Sequence, residues 1–129
     1  MANVSFTLLV LKTRQIEPLR RFYQTLGIEL TDEKHGNGPL HFAGKVGDVV
    51  IEIYPLLDDS AQVDSSTRLG FGVENLAEVI QVLQKLETKI VSPPKDTAWG
   101  FQAVVRDPDG RSVELRQENE NGTQLRISP

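Results

Sequence analysis

The sequence predicts an α+β fold of two tandem βαβββ modules, and three observations carry that expectation. An offset of 60 residues lays one amphipathic stretch, Ile16–Leu26, onto a second, Leu76–Leu86. Each stretch follows a strand-like run, Val4–Leu11 in the first half and Arg68–Val73 in the second. Each half then closes on a strand carrying a glutamate between apolar neighbours, Val49-Val50-Ile51-Glu52-Ile53 and Arg111-Ser112-Val113-Glu114-Leu115. Tandem copies of one small unit are expected to pack face to face, with curved mixed sheets enclosing a small-molecule cleft.

The elements follow in order. Val4–Leu11 is rich in strand formers and almost continuously apolar, which predicts a central strand. Ile16, Leu19, Tyr23 and Leu26 recur at helical spacing, with Pro18 in the first turn and Gly27 as the stop. Ile28–His35 reads as a strand, Gly36–Pro39 as a turn, and Leu40–Ala43 and Val49–Tyr54 as a hairpin across Gly44–Asp48. Asn75 and Glu78 have the spacing of a capping box ahead of the stripe Leu76, Val79, Ile80, Leu83 and Leu86. Lys89–Val91 reads as a short strand and Pro93–Gly100 as a loop. Phe101–Arg106 and Arg111–Arg116 flank the turn Asp107-Pro108-Asp109-Gly110. The single domain 1–129 thus comprises module one (4–55), a linker (56–66), module two (67–117) and a polar tail (118–129).

Composition limits the function classes. The chain has 129 residues, 39% apolar and 25% charged, as expected for one globular domain. A net charge of -4 with dispersed Lys and Arg argues against a nucleic-acid partner. The absence of cysteine removes disulfides and thiolate chemistry and suits a reducing cytoplasm. Val4–Leu11 is too short to span a bilayer and lacks the flanks of a signal sequence, so no membrane partner is expected.

Counting along the repeat marks four equivalent positions. The offset of 60 carries Leu8 onto Arg68, and an offset of 62 carries Glu52 onto Glu114, a difference that loops absorb easily. Glu52 and Glu114 are therefore read as a paired site, supplying metal ligands or a general base; the alternative is a polar core in which they pair with Arg68. Arg68 could instead clamp an anionic group with two hydrogen bonds. His41 is the other candidate, as base or displaced ligand, whereas His35 beside Gly36 reads as an exposed residue flanking a turn. Trp99, the only tryptophan, is read as an apolar wall of the cleft, or else as a cap on the core.

Phe22-Tyr23-Gln24-Thr25-Leu26-Gly27, the strand ending at Ile53, Trp99-Gly100 and the run Asp107–Leu115 together resemble the vicinal oxygen chelate superfamily. That group includes glyoxalase I, extradiol dioxygenases, and fosfomycin and bleomycin resistance proteins. The resemblance spans Val4 to Gln117 and implies the paired-module fold and frequent dimerisation. It also implies a metal held by His or Gln on the opening strands and Glu on the closing ones. Glu52 and Glu114 match the carboxylates, but Leu8 stands at the first imidazole position, with Thr7 one residue away, and Arg68 at the second. A leucine donates nothing and a guanidinium repels a divalent ion.

The expectation is therefore a cytoplasmic, homodimeric protein that binds a small organic ligand through Leu8, His41, Glu52, Arg68, Trp99 and Glu114. No cofactor is expected, and at most weak Mg²⁺ or Mn²⁺ on Glu52 and Glu114. A transition metal held tightly would point to a different ligand set involving His41. The alternative is a divalent-metal-dependent lyase, isomerase or dioxygenase with Glu52 and Glu114 as catalytic residues. A ligand-free interaction module is a third reading.

Overall fold

The computed structural model describes residues 3–118, and the chain divides into two compact units, Met1–Val63 and Asp64–Pro129. The first unit runs β1 (Leu8–Thr13), α1 (Ile16–Thr25), β2 (Thr31–Glu33), β3 (His41–Val46) and β4 (Val49–Pro55). Its sheet has the order β1-β4-β3-β2, with β1 parallel to β4 and the other pairs antiparallel. The second unit runs β5 (Leu69–Val73), α2 (Leu76–Lys85), β6 (Ile90–Thr97), β7 (Gly100–Arg106) and β8 (Ser112–Gln117). Its sheet repeats the topology as β5-β8-β7-β6, with β5 parallel to β8. Each unit is an α+β βαβββ module with a mixed sheet.

Strand alternation and helical period select the same core in each unit. α1 buries Leu19, Phe22 and Tyr23, and it packs on β4, whose Ile51 and Ile53 are buried while Glu52 between them is not. α2 buries Leu76, Val79, Ile80 and Leu83, and β8 buries Val113 and Leu115 on either side of Glu114. A period of two on the strand and 3.6 on the helix thus leaves each glutamate on the sheet face away from its helix. Among the described residues, no helix is long and apolar enough to cross a membrane.

The helix ends show what a local rule costs when it is broken. The Asn75 side chain accepts the Glu78 N–H at 3.1 Å, the predicted cap. α1 stops at Gly27, with φ of 115°. At the same place after α2 stands Glu87, with φ of 61°, held by Glu87 N–H to Gln84 O at 3.0 Å and Thr88 N–H to Leu83 O at 2.9 Å. A side chain in the left-handed region is strained where glycine is not. Glu87→Gly is therefore expected to stabilise the protein by about 0.5–1 kcal/mol, read as a higher urea midpoint.

Three expected elements differ in extent. The first strand is not central but an edge, spanning Leu8–Thr13 rather than 4–11. Its parallel partner β4 begins at Val49, so pairing starts at Leu8 and Val50 and leaves Val4 (93% exposed) and Phe6 (64%) without a neighbour strand. β2 is three residues long because Ile28 and Leu30 are buried ahead of it instead of pairing. β6 continues through Pro93 and Pro94 to Thr97, where a loop was expected. It is an edge strand with register shifts between Ile90 and Ser92 and between Ser92 and Lys95, where prolines forfeit no ladder bond.

The linker is tied to the first unit at its start. The Arg14 guanidinium donates to the carbonyls of Leu56 at 3.1 Å and Asp58 at 3.2 Å, and also to that of Ala61. At the other end of the described chain, the Glu118 N–H donates to the Val73 carbonyl at 2.8 Å. The rest of the expected tail, 119–129, lies outside the described residues.

Candidate functional site

In the first unit, the face of the sheet away from α1 collects the polar side chains. Cross-strand partners share a face, so Val10 opposite Glu52, Glu52 opposite Ala43, and Glu33 opposite His41 define it. His41 is the centre of this group. Its side chain is 1% exposed, with the ring stacked on Tyr54 (centroids 4.0 Å, 9° between planes) and tilted against His35 at 5.2 Å. Nδ1 lies 3.2 Å from the Pro39 carbonyl. A carbonyl only accepts, so Nδ1 carries a proton, and Nε2 is the ring nitrogen left to face the rest of the group.

That nitrogen faces two carboxylates. His41 Nε2 is 3.4 Å from Glu33 Oε1 and 3.9 Å from Glu52 Oε2, yet it is buried with no hydrogen-bond partner among the described residues. The 3.4 and 3.9 Å separations are close approaches without hydrogen-bond geometry. Desolvation, followed by the charges of Glu52 and Glu33, raises the Tyr54 phenol above its ordinary pKa. The neighbourhood is one of crowded negative charge.

In the second unit, the corresponding face carries a cavity of about 270 Å³ lined by Gly70, Phe71, Gly72, Glu114, Arg116 and Glu118. Gly70 is the Cα partner of Glu114, and Gly72 of Arg116. With no side chain at either glycine, the space over Gly70 stays open and the Glu118 carboxylate lies over Gly72. Beside it the Gln102 amide donates to Glu114 Oε1 at 3.2 Å. Gln102 Oε1 and Arg116 Nε are buried without hydrogen-bond partners among the described residues. Unpaired buried donors and acceptors are costly in a folded protein unless a ligand or solvent completes them.

The candidate positions are distributed unevenly. Glu52 and His41 lie together in the first unit, and Glu114 lies on the cavity wall of the second. Leu8 is exposed on β1, but the residue opposite Glu52 is Val10, two positions on. Arg68 is exposed and precedes β5; Gly70 stands opposite Glu114. The parity of the expected strand positions agrees with the observed face, but the pairing register is shifted by two residues, which face alternation alone does not reveal. Arg68→Ala is accordingly expected to change stability by less than about 0.5 kcal/mol, measured as an unshifted urea midpoint. Trp99 is 69% exposed in the turn between β6 and β7, with its backbone N–H donating to Thr97 Oγ1 at 3.1 Å.

These strand positions do not fit a divalent ion. Opposite the two glutamates stand valine and glycine, which have no donor atom to add to a single carboxylate. His35, expected to be an exposed turn residue, and Glu33, which the sequence did not single out, instead converge with His41: one ligand atom from each lies within 4.8 Å of the others. The signal was the alternation Glu33-Lys34-His35 directed at a histidine across a short hairpin, but without the β2–β3 register its partner could not be identified.

Residues 6–115 match the Glyoxalase/Bleomycin resistance protein/Dioxygenase superfamily. No curated protein matches the chain. Among solved structures, the chain is similar to TnmS3, an antibiotic binding protein from Streptomyces sp. CB03234, with a TM-score of 0.66 and 24% identity over 91% of this chain and 98% of that one. It is also similar to a glyoxalase/bleomycin resistance protein/dioxygenase family enzyme from Burkholderia phytofirmans PsJN, with a TM-score of 0.66 and 18% identity over 86% and 96% of the two chains. An integron cassette protein from V. Cholerae gives a TM-score of 0.66 at 23% identity, covering 91% and 97%. At these identities the likeness is one of fold.

Proposed function

We propose that this chain, which belongs to the glyoxalase/bleomycin resistance protein/dioxygenase superfamily, binds a small organic molecule bearing a cationic, hydrogen-bond-donating group. The observation that carries the reading is the cavity in the second unit, walled by Glu114 beside the open space over Gly70 and by the Glu118 carboxylate lying over Gly72. Arg116, on the same wall, adds a guanidinium for polar atoms of the same guest, and Gln102 braces the Glu114 carboxylate from behind. An antibiotic binding protein with this fold supports ligand capture as a use of the architecture. A metal-dependent lyase, isomerase or dioxygenase would have to work from Glu52 and Glu114 with no donor opposite either. We therefore place no transition metal at the four strand positions.

Self-association belongs to the same reading. Val4, Phe6, Leu8 and Val10 expose apolar surface along β1 and the segment before it. β1 is an unpaired edge, which a homodimer would cover. The lack of cysteine suits a cytoplasmic setting.

Glu114→Gln tests the ligand reading. It keeps the shape of the wall and removes the charge, so affinity for cationic aromatic amines should fall about tenfold or more, as for loss of a charge-assisted hydrogen bond. Calorimetric titration of wild type and variant checks this; equal affinities would remove Glu114 from the site.

A further inference from the structure

We propose that Glu33, His35 and His41 form a binding site for one divalent transition-metal ion, of the Zn²⁺ or Co²⁺ class, on the β2–β3 hairpin of the first unit. One ligand atom from each of the three side chains lies within 4.8 Å of the others. His35 Nε2 is hydrogen-bonded to Glu33 Oε1 at 3.2 Å, and His41 Nε2 is 3.4 Å from the same oxygen. Ligands about 2.0–2.1 Å from a tetrahedral ion are about 3.3 Å from one another, so these contacts match edges of such a polyhedron. Two imidazoles and a carboxylate favour a borderline transition ion over Mg²⁺ or Ca²⁺, which take oxygen.

The independent observation is the state of His41. Its Nδ1–H is committed to the Pro39 carbonyl at 3.2 Å, the outer hydrogen bond that orients a metal-binding imidazole. Its Nε2 is buried, has no hydrogen-bond partner among the described residues, and is directed at the carboxylates of Glu33 and Glu52. A buried ring nitrogen faced by two carboxylates is a poor arrangement unless a cation, a proton on Nε2 or a metal ion in its place, sits among them. Stacking on Tyr54 holds the ring in place. Glu52 Oε2, 3.9 Å from Nε2, is close enough to neutralise the ion's remaining charge. The open side is at His35, whose side chain is 73% exposed. The site lies wholly within the first unit and the organic-ligand cavity within the second, so either reading can fail without the other.

The chain contains only two histidines, which makes the test specific. Zn²⁺ is titrated into the full untagged chain at pH 7.5 while the imidazole ring signals are followed by NMR. Both rings should shift together and saturate at one equivalent, and affinity should fall at lower pH as protons compete for His35 and His41. His35→Ala and Glu33→Gln, both at exposed or half-exposed side chains that should leave the fold intact, should each weaken binding about tenfold or more. A shift confined to His35 would mean an adventitious surface contact and overturn the site. So would no saturation below about 1 mM, an affinity at the non-specific end. Loss of binding in Glu52→Gln with no effect of Glu33→Gln would overturn the assignment of the carboxylate.

Discussion

Replacing Arg111 with methionine is expected to destabilise the second unit by about 3–5 kcal/mol, because it strands a buried carboxylate. Arg111 is 1% exposed and its guanidinium donates to Asp107 Oδ2 at 3.0 Å and Asp109 Oδ2 at 3.2 Å. Asp107 also accepts the backbone N–H groups of Asp109 at 2.9 Å and Arg111 at 3.1 Å, so its charge ties the β7–β8 turn together. Asp107→Asn in the Arg111→Met background should recover part of the loss, since the amide oxygen can still accept those N–H groups without carrying charge. Native-state hydrogen exchange across β7 and β8 distinguishes the cases. Protection that falls additively in the double variant would mean that the two residues do not act as a pair.

Gly44→Ala is the second large effect, expected to cost the first unit about 1–3 kcal/mol. A Cβ at this position would fall on the Glu29 carbonyl and lie 3.2 Å from Leu30 Cδ2. The backbone ahead of β2 passes directly over β3 here and cannot move aside without disturbing buried Leu30. Gly72 provides the contrast. There the obstructing group is the carboxylate end of Glu118, which can rotate away, so Gly72→Ala should cost much less while shrinking the cavity. Similar urea midpoints for the two variants would contradict the difference between a backbone and a side-chain obstacle.

Both results bear on what was legible in the sequence. The helices, the Asn75 cap and the inward or outward sense of Glu52 and Glu114 follow from local periodicity, which survives without knowledge of partners. Register does not. Leu8 and Arg68 share the parity of Val10 and Gly70, but only the long-range pairing of parallel strands shows which of them faces a glutamate. Attention was also misdirected between arginines: Arg68 is exposed, whereas Arg111, beside an obvious turn, is the buried one. The distinguishing signal was local, since the carboxylates that hold Arg111 belong to the turn just before it. The prolines of β6 read as a loop because an edge strand tolerates what a central strand would not. His41 was visible as a candidate, but Glu33 and His35 joined it only once β2 and β3 were paired.

The central claim, a ligand cavity over the β5–β8 pair, is tested most directly by amide chemical shifts during titration with cationic aromatic amines. The predicted result is a single saturable set of changes at Gly70, Gly72, Gln102, Glu114 and Glu118, with residues 33–41 of the β2–β3 hairpin unmoved. Shifts that centre on any other surface, or no saturable shift from any amine tested, would contradict it.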